Sequence, residues 1–510
     1  MAEGEKSGDE RLACDEEQPS TSSSRKSRGR VRSQSARERG QEEAGGSGDS
    51  VRDRSRSPHE CRWRSESEPD TEAPPPPKFI PKRTPGVQPP LNMGNPSPLE
   101  IFSSFFDTAV LNLLCHNTNK NAAGKIAQGK RFMWRDTTAE DMKKFIGMLL
   151  FMSVVHLPKL SDYWRKGTAF QVPFPATIMP RDQFMSILSC IHMSDPEEDK
   201  IQEEKKGTRD YDRLHRVRPL MDLISMRCKA IYHPRQHLSV DERMVATKAR
   251  LGIKQYMKAK PTKWGLKFFV LADVNGYTID FQLYTGKAEI FSGHGLSFDV
   301  VCSLVQKSYL GSGYVIYIDN FYTSPLLFRH LRQLGFGACG TYRKGRVGVP
   351  TTHENALTKK SPRGSIRWIR DRDLLYIKWM DTREVSMCST LHSVYSGDVV
   401  ERWEKGPDGT KQKVSVPRPT TVTEYNKHMG GVDTSDQMIT TTSVHRKTMR
   451  WTTTVFQHLI DIAATNSFVV HKEQCSIMQQ KPRTRQAFTE ELAVSLMGAA
   501  LKLEPQKAPA

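Results

Sequence analysis

Beyond Pro234 the spacing of apolar residues changes period, and this change constrains the fold more than any other feature of the chain. Before it, apolar residues recur at helical intervals, as in Leu111, Leu113 and Leu114 and in Met185, Ile187, Leu188 and Ile191. After it come runs of strand length: His237 to Val245, Leu266 to Ala272 and Thr278 to Tyr284. The last two are joined through Asn275-Gly276, a dipeptide that tolerates the positive φ angles of a tight hairpin. Phe298 to Tyr309 returns to helical spacing and Gly313 to Ile318 is again a strand. Ser324-Pro325 then opens a helix with a capping hydroxyl and a proline at the first helical position, the helix stops at Gly335, and Ala338 to Tyr342 is a further strand. Three strands, helix, strand, helix, strand predict an α/β fold with a mixed sheet.

Around this core, residues 96–235 read as a helical lead domain. Within it Thr137-Thr138-Ala139-Glu140 has the spacing of a capping box, with Thr137 and Glu140 as the reciprocal pair. Residues 1–95 are rich in Ser, Arg, Glu, Gly and Pro, and such a segment buries too little apolar surface to offset its conformational entropy, so a disordered tail is expected. Its Arg25-Lys26-Ser27-Arg28-Gly29-Arg30 and Arg54-Ser55-Arg56-Ser57-Pro58 clusters suit nuclear import or nucleic-acid contact. The core runs through 236–345 and resumes over 428–475, with an apolar helix from Trp451 to about Val470. Between these parts, 346–427 reads as a β-rich insertion, with alternating runs at Ile366 to Ile369, Leu374 to Trp379 and Val385 to Ser389; 476–510 form a C-terminal tail.

Charge narrows the partner. Seventy-six Lys and Arg against 57 Asp and Glu give a formal charge of +19, which favours a polyanion, nucleic acid or an anionic membrane surface. The longest apolar stretch, Phe145 to Leu157, falls short of the roughly 20 residues that span a bilayer, so nucleic acid is the simpler expectation. The first residues are polar and acidic, unlike a signal peptide, and a nuclear location is expected. Nine cysteines stand singly, without Cys-x-x-Cys spacing, and are expected to be reduced core residues rather than zinc ligands.

Three aspartates stand out against this basic background. Asp241 and Asp319 each end an apolar run, and Asp433 lies in a Gly-Gly-Val-Asp-Thr-Ser-Asp turn. Two strand ends and a turn presenting carboxylates form a hard oxygen site for Mg²⁺ or Mn²⁺ against a phosphate backbone, provided the strands are neighbours. Asp436 is spaced to share a helical face with Asp433 and either adds a metal ligand or caps the helix. Asp273 and Asp280 are read as turn or ladder residues of the hairpin.

The surrounding segments resemble the piggyBac transposase family. The resemblance is carried by Ser97-Pro98-Leu99-Glu100-Ile101-Phe102, Tyr211-Asp212-Arg213-Leu214 with Val217-Arg218-Pro219-Leu220, and Leu238-Ser239-Val240-Asp241-Glu242. It continues in Lys260-Pro261-Thr262-Lys263-Trp264-Gly265, Ile318-Asp319-Asn320-Phe321-Tyr322-Thr323-Ser324, and Gly430-Gly431-Val432-Asp433 with Arg446-Lys447-Thr448-Met449-Arg450-Trp451. It implies a ribonuclease-H-like catalytic domain interrupted by the β-rich insertion, with Asp241, Asp319 and Asp433 as the catalytic triad and Asp436 as a further metal ligand. It further implies two divalent ions, cut-and-paste transposition at TTAA targets with terminal inverted repeats, and a homodimer, with no small-molecule substrate. Family members commonly carry a cysteine-rich zinc module that reads the repeats, and no such cysteines follow Glu491 here. A second reading is therefore a domesticated derivative that binds DNA without moving it.

Basic residues fit either reading. Lys254, Lys258, Lys260 and Lys263, interleaved with Tyr256 and Trp264, are expected to neutralise phosphates and stack on unpaired bases. Arg446, Lys447, Arg450 and Trp451 are expected to do the same, with Arg343 and Lys344 as further DNA contacts.

Overall fold

A computed structural model describes residues 62–70, 73–258, 260–286, 292–406 and 409–501. Its centre is a ten-stranded mixed sheet. Eight of the strands are β1 (His237–Ala246), β2 (Trp264–Asp273), β3 (Thr278–Leu283), β4 (Val315–Ile318), β5 (Gly337–Thr341), β6 (Ile366–Asp371), β7 (Leu374–Met380) and β8 (Glu384–Ser389). Two-residue strands at Arg64–Ser65 and Gln255–Tyr256 complete it.

The first five strands lie in the order β3, β2, β1, β4, β5. β2 runs antiparallel to both its neighbours, and β4 runs parallel to β1 and β5. Asn275-Gly276 does close the β2–β3 hairpin, with Gly276 at φ +88°. The insertion does not stand apart from the sheet: β8 pairs with the free edge of β5, and β7 and β6 follow. Separate from these, Val399–Lys405 and Lys411–Pro417 form their own hairpin.

Strand alternation divides the packing. On β4, Ile316 and Ile318 enter the main core, while Val315 and Tyr317 face a smaller cluster with Cys339, Trp368, Ile377 and Trp379. The helices that matter for the site are α1 (Thr108–Ala127), α2 (Ala139–Val154), α3 (Arg181–Cys190), α4 (Arg218–Ile231), α5 (Leu296–Leu304), α6 (Pro325–Gln333), α7 (Thr420–His428), α8 (Gly431–Thr441), α9 (Trp451–Ile477) and α10 (Arg485–Leu496). Helix α6 begins as its sequence predicts, with the Ser324 hydroxyl accepting from the Leu327 amide and Pro325 at the first position.

Helix α2 starts one residue later than the sequence suggests. Its capping box is Thr138 with Asp141, because Thr137 is already engaged at both backbone groups by the Asn119 side chain, at 2.8 and 3.1 Å. Helix α9 also runs past Val470. From Thr453 to His471 it is buried on every side, so it behaves as a central core helix rather than an amphipathic surface one. Among the polar residues it buries, Asn466 pairs with both the amide and the carbonyl of Thr278, at 2.9 and 2.8 Å, as a neighbouring strand would. No helix among the described residues is long and apolar enough to cross a membrane.

The expectation of a disordered tail over 1–95 fails for its second part, while residues 1–61, including both arginine clusters, lie outside the described residues. Arg64–Ser65 caps the outer edge of β6, and Trp63 is fully buried. The Trp63 indole donates to the Thr352 carbonyl at 3.0 Å, and the Lys378 ammonium sits 4.5 Å from its ring. Asp70 pairs with Arg370, both nearly inaccessible. Further along, Ile80–Pro81 and Gly86–Val87 pair with Gly311–Ser312 and Tyr232–His233. This segment is too poor in apolar residues to fold alone, yet it borrows the core of the sheet through one tryptophan and one ion pair. Trp63→Ala is expected to destabilise the fold by about 3–5 kcal/mol and to expose residues 62–70 to proteolysis, measurable by denaturant unfolding and limited digestion.

Candidate active site

Strand pairing determines where the carboxylates meet. β4 runs beside β1 only from Val315 opposite His237 to Ile318 opposite Val240. Past that point the chain of β4 turns away at Asp319, while β1 continues paired to β2 alone, with Asp241 opposite Val270. Asp241 is thus not at the end of its own strand, as the apolar run suggested. It sits where its parallel neighbour ends, and the gap leaves space for side chains from both strands.

In that gap Asp241, Glu242 and Asp319 bring carboxylate oxygens within 4.8 Å of one another. Asp319 is held by a tight turn in which its carboxylate accepts from the Phe321 amide at 2.8 Å and its carbonyl accepts from the Thr323 hydroxyl at 2.9 Å. The Asp241 carboxylate folds back to accept from the Glu242 amide at 2.7 Å. Glu242 was not singled out from sequence. Its signal is only its position after Asp241, and strand alternation argues that such neighbours face opposite ways. The ending of β4 removes that separation.

Each carboxylate has a different electrostatic situation. Burial pushes the Asp241 carboxyl up to about 7, against the pull of Lys260. Burial likewise raises Asp319, against the hydrogen bond from Phe321. For Glu242, burial is outweighed by its hydrogen bond with Asp241 and by the Lys267 ammonium at 2.9 Å, which together hold it below the ordinary range. Lys267 is itself fixed between the rings of Phe269 and Phe321, at 4.7 and 4.8 Å.

Asp433 arrives on a helix rather than a turn, in the first turn of α8. The helix lies on β1 and β2 with almost no clearance. A Cβ on Gly431 would stand 2.6 Å from both the Ser239 hydroxyl and the Asp273 carbonyl, so only glycine permits this approach. Farther along α8, Asp436 pairs with the buried guanidinium of Arg243. Contacts at Ser239 and Arg243 bracket Asp241, so α8 places Asp433 beside the carboxylate trio but exposed and outside it.

Lys260 reaches into this arrangement from the loop before β2. Its ammonium is 3.5 Å from the Asp241 carboxylate and 2.9 Å from the Glu242 carbonyl. A cavity of about 360 Å³ opens beside it, lined by Arg243, Lys260, Asp436, Ser443, His458 and Asp461.

The other basic candidates separate into two kinds. Trp264 is 56 % exposed and packs against the equally open Tyr256 with ring centroids 4.8 Å apart, while Lys254 lies 5.8 Å above the Trp264 ring. Lys258, Lys263, Arg343, Lys344 and Lys447 are exposed as well, Arg343 donating to Asn320 at 2.7 Å. Arg446 and Arg450 are structural struts. Arg446 donates to the Leu157 carbonyl and the Tyr163 hydroxyl, and Arg450 holds the carbonyls of Leu188, Ser189 and Ile191 at the end of α3. Trp451 is half-buried at the start of α9. Asp273 and Asp280 are structural: Asp273 accepts from the Tyr232 hydroxyl and the Arg235 amide, and Asp280 from Ser225 and Lys229.

Acidic side chains gather where a parallel strand of the mixed sheet ends, and a family model described as Transposase IS4 matches residues 97–468. The chain belongs to that family, in its piggyBac-type branch. It is similar to human PiggyBac transposable element-derived protein 3, 26 % identical over 381 residues covering 74 % of this chain and 61 % of the relative. It is also similar to human PiggyBac transposable element-derived protein 2, 26 % identical over 395 residues covering 75 % and 63 %. The chain thus spans about six-tenths of the length of these relatives. A cryo-EM structure of a piggyBac transposase synaptic complex with hairpin DNA shares the fold, with a TM-score of 0.70 at 24 % identity over 81 % of this chain and 83 % of that one.

Deep beside the site, Asp461 is fully enclosed, accepting from the Ser443 hydroxyl at 2.6 Å and the Val444 amide at 2.8 Å. Burial raises its carboxyl from 3.8 to about 7. Because the folded value lies above the unfolded one, the native state retains a proton that the unfolded chain loses. Stability from this residue is therefore complete below about pH 4 and declines as pH rises toward 7. Asp461→Asn is expected to flatten the pH dependence of unfolding free energy between pH 4 and 7, as measured by urea titration across that range.

Proposed function

We propose that this chain is a metal-dependent DNA transposase that cuts and pastes DNA at TTAA sites, acting in the nucleus as a homodimer on terminal repeats and target. The observation that carries the proposal is the meeting of Asp241 and Asp319 across the end of β4. The strand order β3, β2, β1, β4, β5 with β2 reversed supports reading the core as ribonuclease-H-like.

The donor set fits a hard divalent cation: carboxylate oxygens converge, and half-buried Asp241 and Asp319 make no guanidinium ion pair among the described residues. Asp241 and Asp319 would hold Mg²⁺ or Mn²⁺, with Asp433 approaching from α8 and Glu242 beside them. Two such ions, when bound, supply polarisation of the scissile phosphate and a hydroxide-like nucleophile. The residues of the chain supply the placement. Lys267 keeps Glu242 ionised and fixed, and Gly431 lets α8 bring Asp433 close. Asp436, assigned to the metal set from sequence, is better read as the anchor of α8 through Arg243.

DNA is read as lying over the open face of this site. Lys254, Lys258, Lys263, Lys344, Arg343 and Lys447 neutralise phosphates, and Trp264 with Tyr256 offers a stacking surface for an unpaired base. Arg446 and Arg450 contribute indirectly by fixing the segment before α9 to the helical lead region. A second reading, a domesticated DNA-binding protein without transposition, draws on Asp433 standing outside the carboxylate trio.

Cleavage of a TTAA-flanked substrate with Mg²⁺ or Mn²⁺ separates the two. Under the enzymatic reading, Asp241→Ala, Asp319→Ala and Asp433→Ala each lower nicking by at least about a hundredfold while DNA binding persists. Wild-type protein that binds DNA with a steep salt dependence yet never nicks it supports the second reading. Trp264→Ala is expected to weaken single-stranded DNA binding roughly tenfold and to leave duplex binding nearly unchanged, as read by fluorescence anisotropy.

A further inference from the structure

Three cations face the carboxylates of the site, and they are held very differently. Arg243 lies on the β1 ladder with its side chain 3 % exposed, paired to Asp436. Lys267 lies on the β2 ladder, 11 % exposed, enclosed by aromatic rings and paired to Glu242. Neither can leave without breaking strand packing. Lys260 is on the loop between Gln255–Tyr256 and β2 and is 25 % exposed; among the described residues its ammonium bonds the Asp241 carboxylate and one backbone carbonyl.

We propose that the Lys260 ammonium is a built-in counter-ion that holds the place of the divalent cation in the free protein and withdraws when cation and DNA phosphate arrive. The inference rests on the reading of Asp241 and Asp319 as metal ligands. With every carboxylate ionised, Asp241, Glu242, Asp319, Asp433 and Asp436 face three cations, so one departing ammonium changes the local balance substantially. A divalent ion among the same oxygens repels Lys260, and desolvation strengthens that repulsion. A phosphate on the open side of the loop offers the ammonium a new partner of the same charge as the one it leaves. Since the loop carries no ladder hydrogen bond through Lys260, this exchange leaves β1 and β2 intact.

The consequence is positive coupling: DNA tightens cation binding by removing Lys260 from the carboxylates, and the cation tightens DNA binding by the same factor. The device would keep the site from assembling a reactive cation pair before its substrate is in place.

Calorimetric titration of Mn²⁺ into the full chain, with and without a short TTAA-containing duplex, tests the inference. Wild type is expected to bind Mn²⁺ weakly alone and more tightly with DNA. Lys260→Met and Lys260→Gln are expected to bind Mn²⁺ alone roughly 5- to 150-fold more tightly and to lose the enhancement by DNA. Lys260→Arg, which keeps the charge, should behave as wild type. Unchanged or weaker Mn²⁺ affinity in the neutral variants overturns the counter-ion role and leaves the metal site standing, as does an arginine variant that binds as tightly as they do. Absence of Mn²⁺ binding in wild type and variants alike, with DNA present, overturns the metal site itself.

Discussion

Buried negative charge is the constraint on which the site depends. Carboxylates enclosed between a sheet and a helix are costly unless each finds a cation or a proton, and this molecule distributes the solutions unequally. Glu242 is neutralised by Lys267 and Asp436 by the buried guanidinium of Arg243. Asp241 and Asp319 are left with raised proton affinity and one loosely placed lysine. The residues with fixed partners hold the architecture, and those without are the ones the proposed function draws on.

The backbone creates the vacancy that these side chains occupy. β4 is only four residues long, and its departure after Ile318 opens the sheet beside a ten-residue β1. Helix α8 is then seated along β1 by a glycine at its start and an ion pair at its middle, which carries Asp433 to the same region. The long buried helix α9 supports this from beneath, its Asn466 bonding to β3 as a strand would. The segment around Trp63 closes the far edge of the sheet, beyond strands that sequence alone presents as a separate insertion.

Much of the core was legible because short-range signals govern it. The hairpin at Asn275-Gly276, the capped start at Ser324-Pro325 and the runs that became β6, β7 and β8 depend on turn chemistry and alternation within a few residues. Signals that depend on competition for partners were not legible. Thr137 could not be excluded as a cap without knowing that Asn119 holds it, and Trp63 gave no hint of burial because its pocket is built by residues near Thr352 and Lys378. Arg446 and Arg450 look like DNA contacts in a basic run, yet they donate to carbonyls and a tyrosine hydroxyl of the lead region.

By itself the order of residues determined that the chain holds an α/β core with aspartates at the ends of apolar runs, because period and turn propensity are local properties. Which acids share a site was decided only by tertiary structure. Register and strand length brought Glu242 into the group, a helix kept Asp433 at its margin, and Asp436 was set against Arg243. Charge pairing across distances of many residues in sequence leaves no local trace, since the same aspartate is a ligand, an anchor or a solvated residue according to what the fold sets beside it.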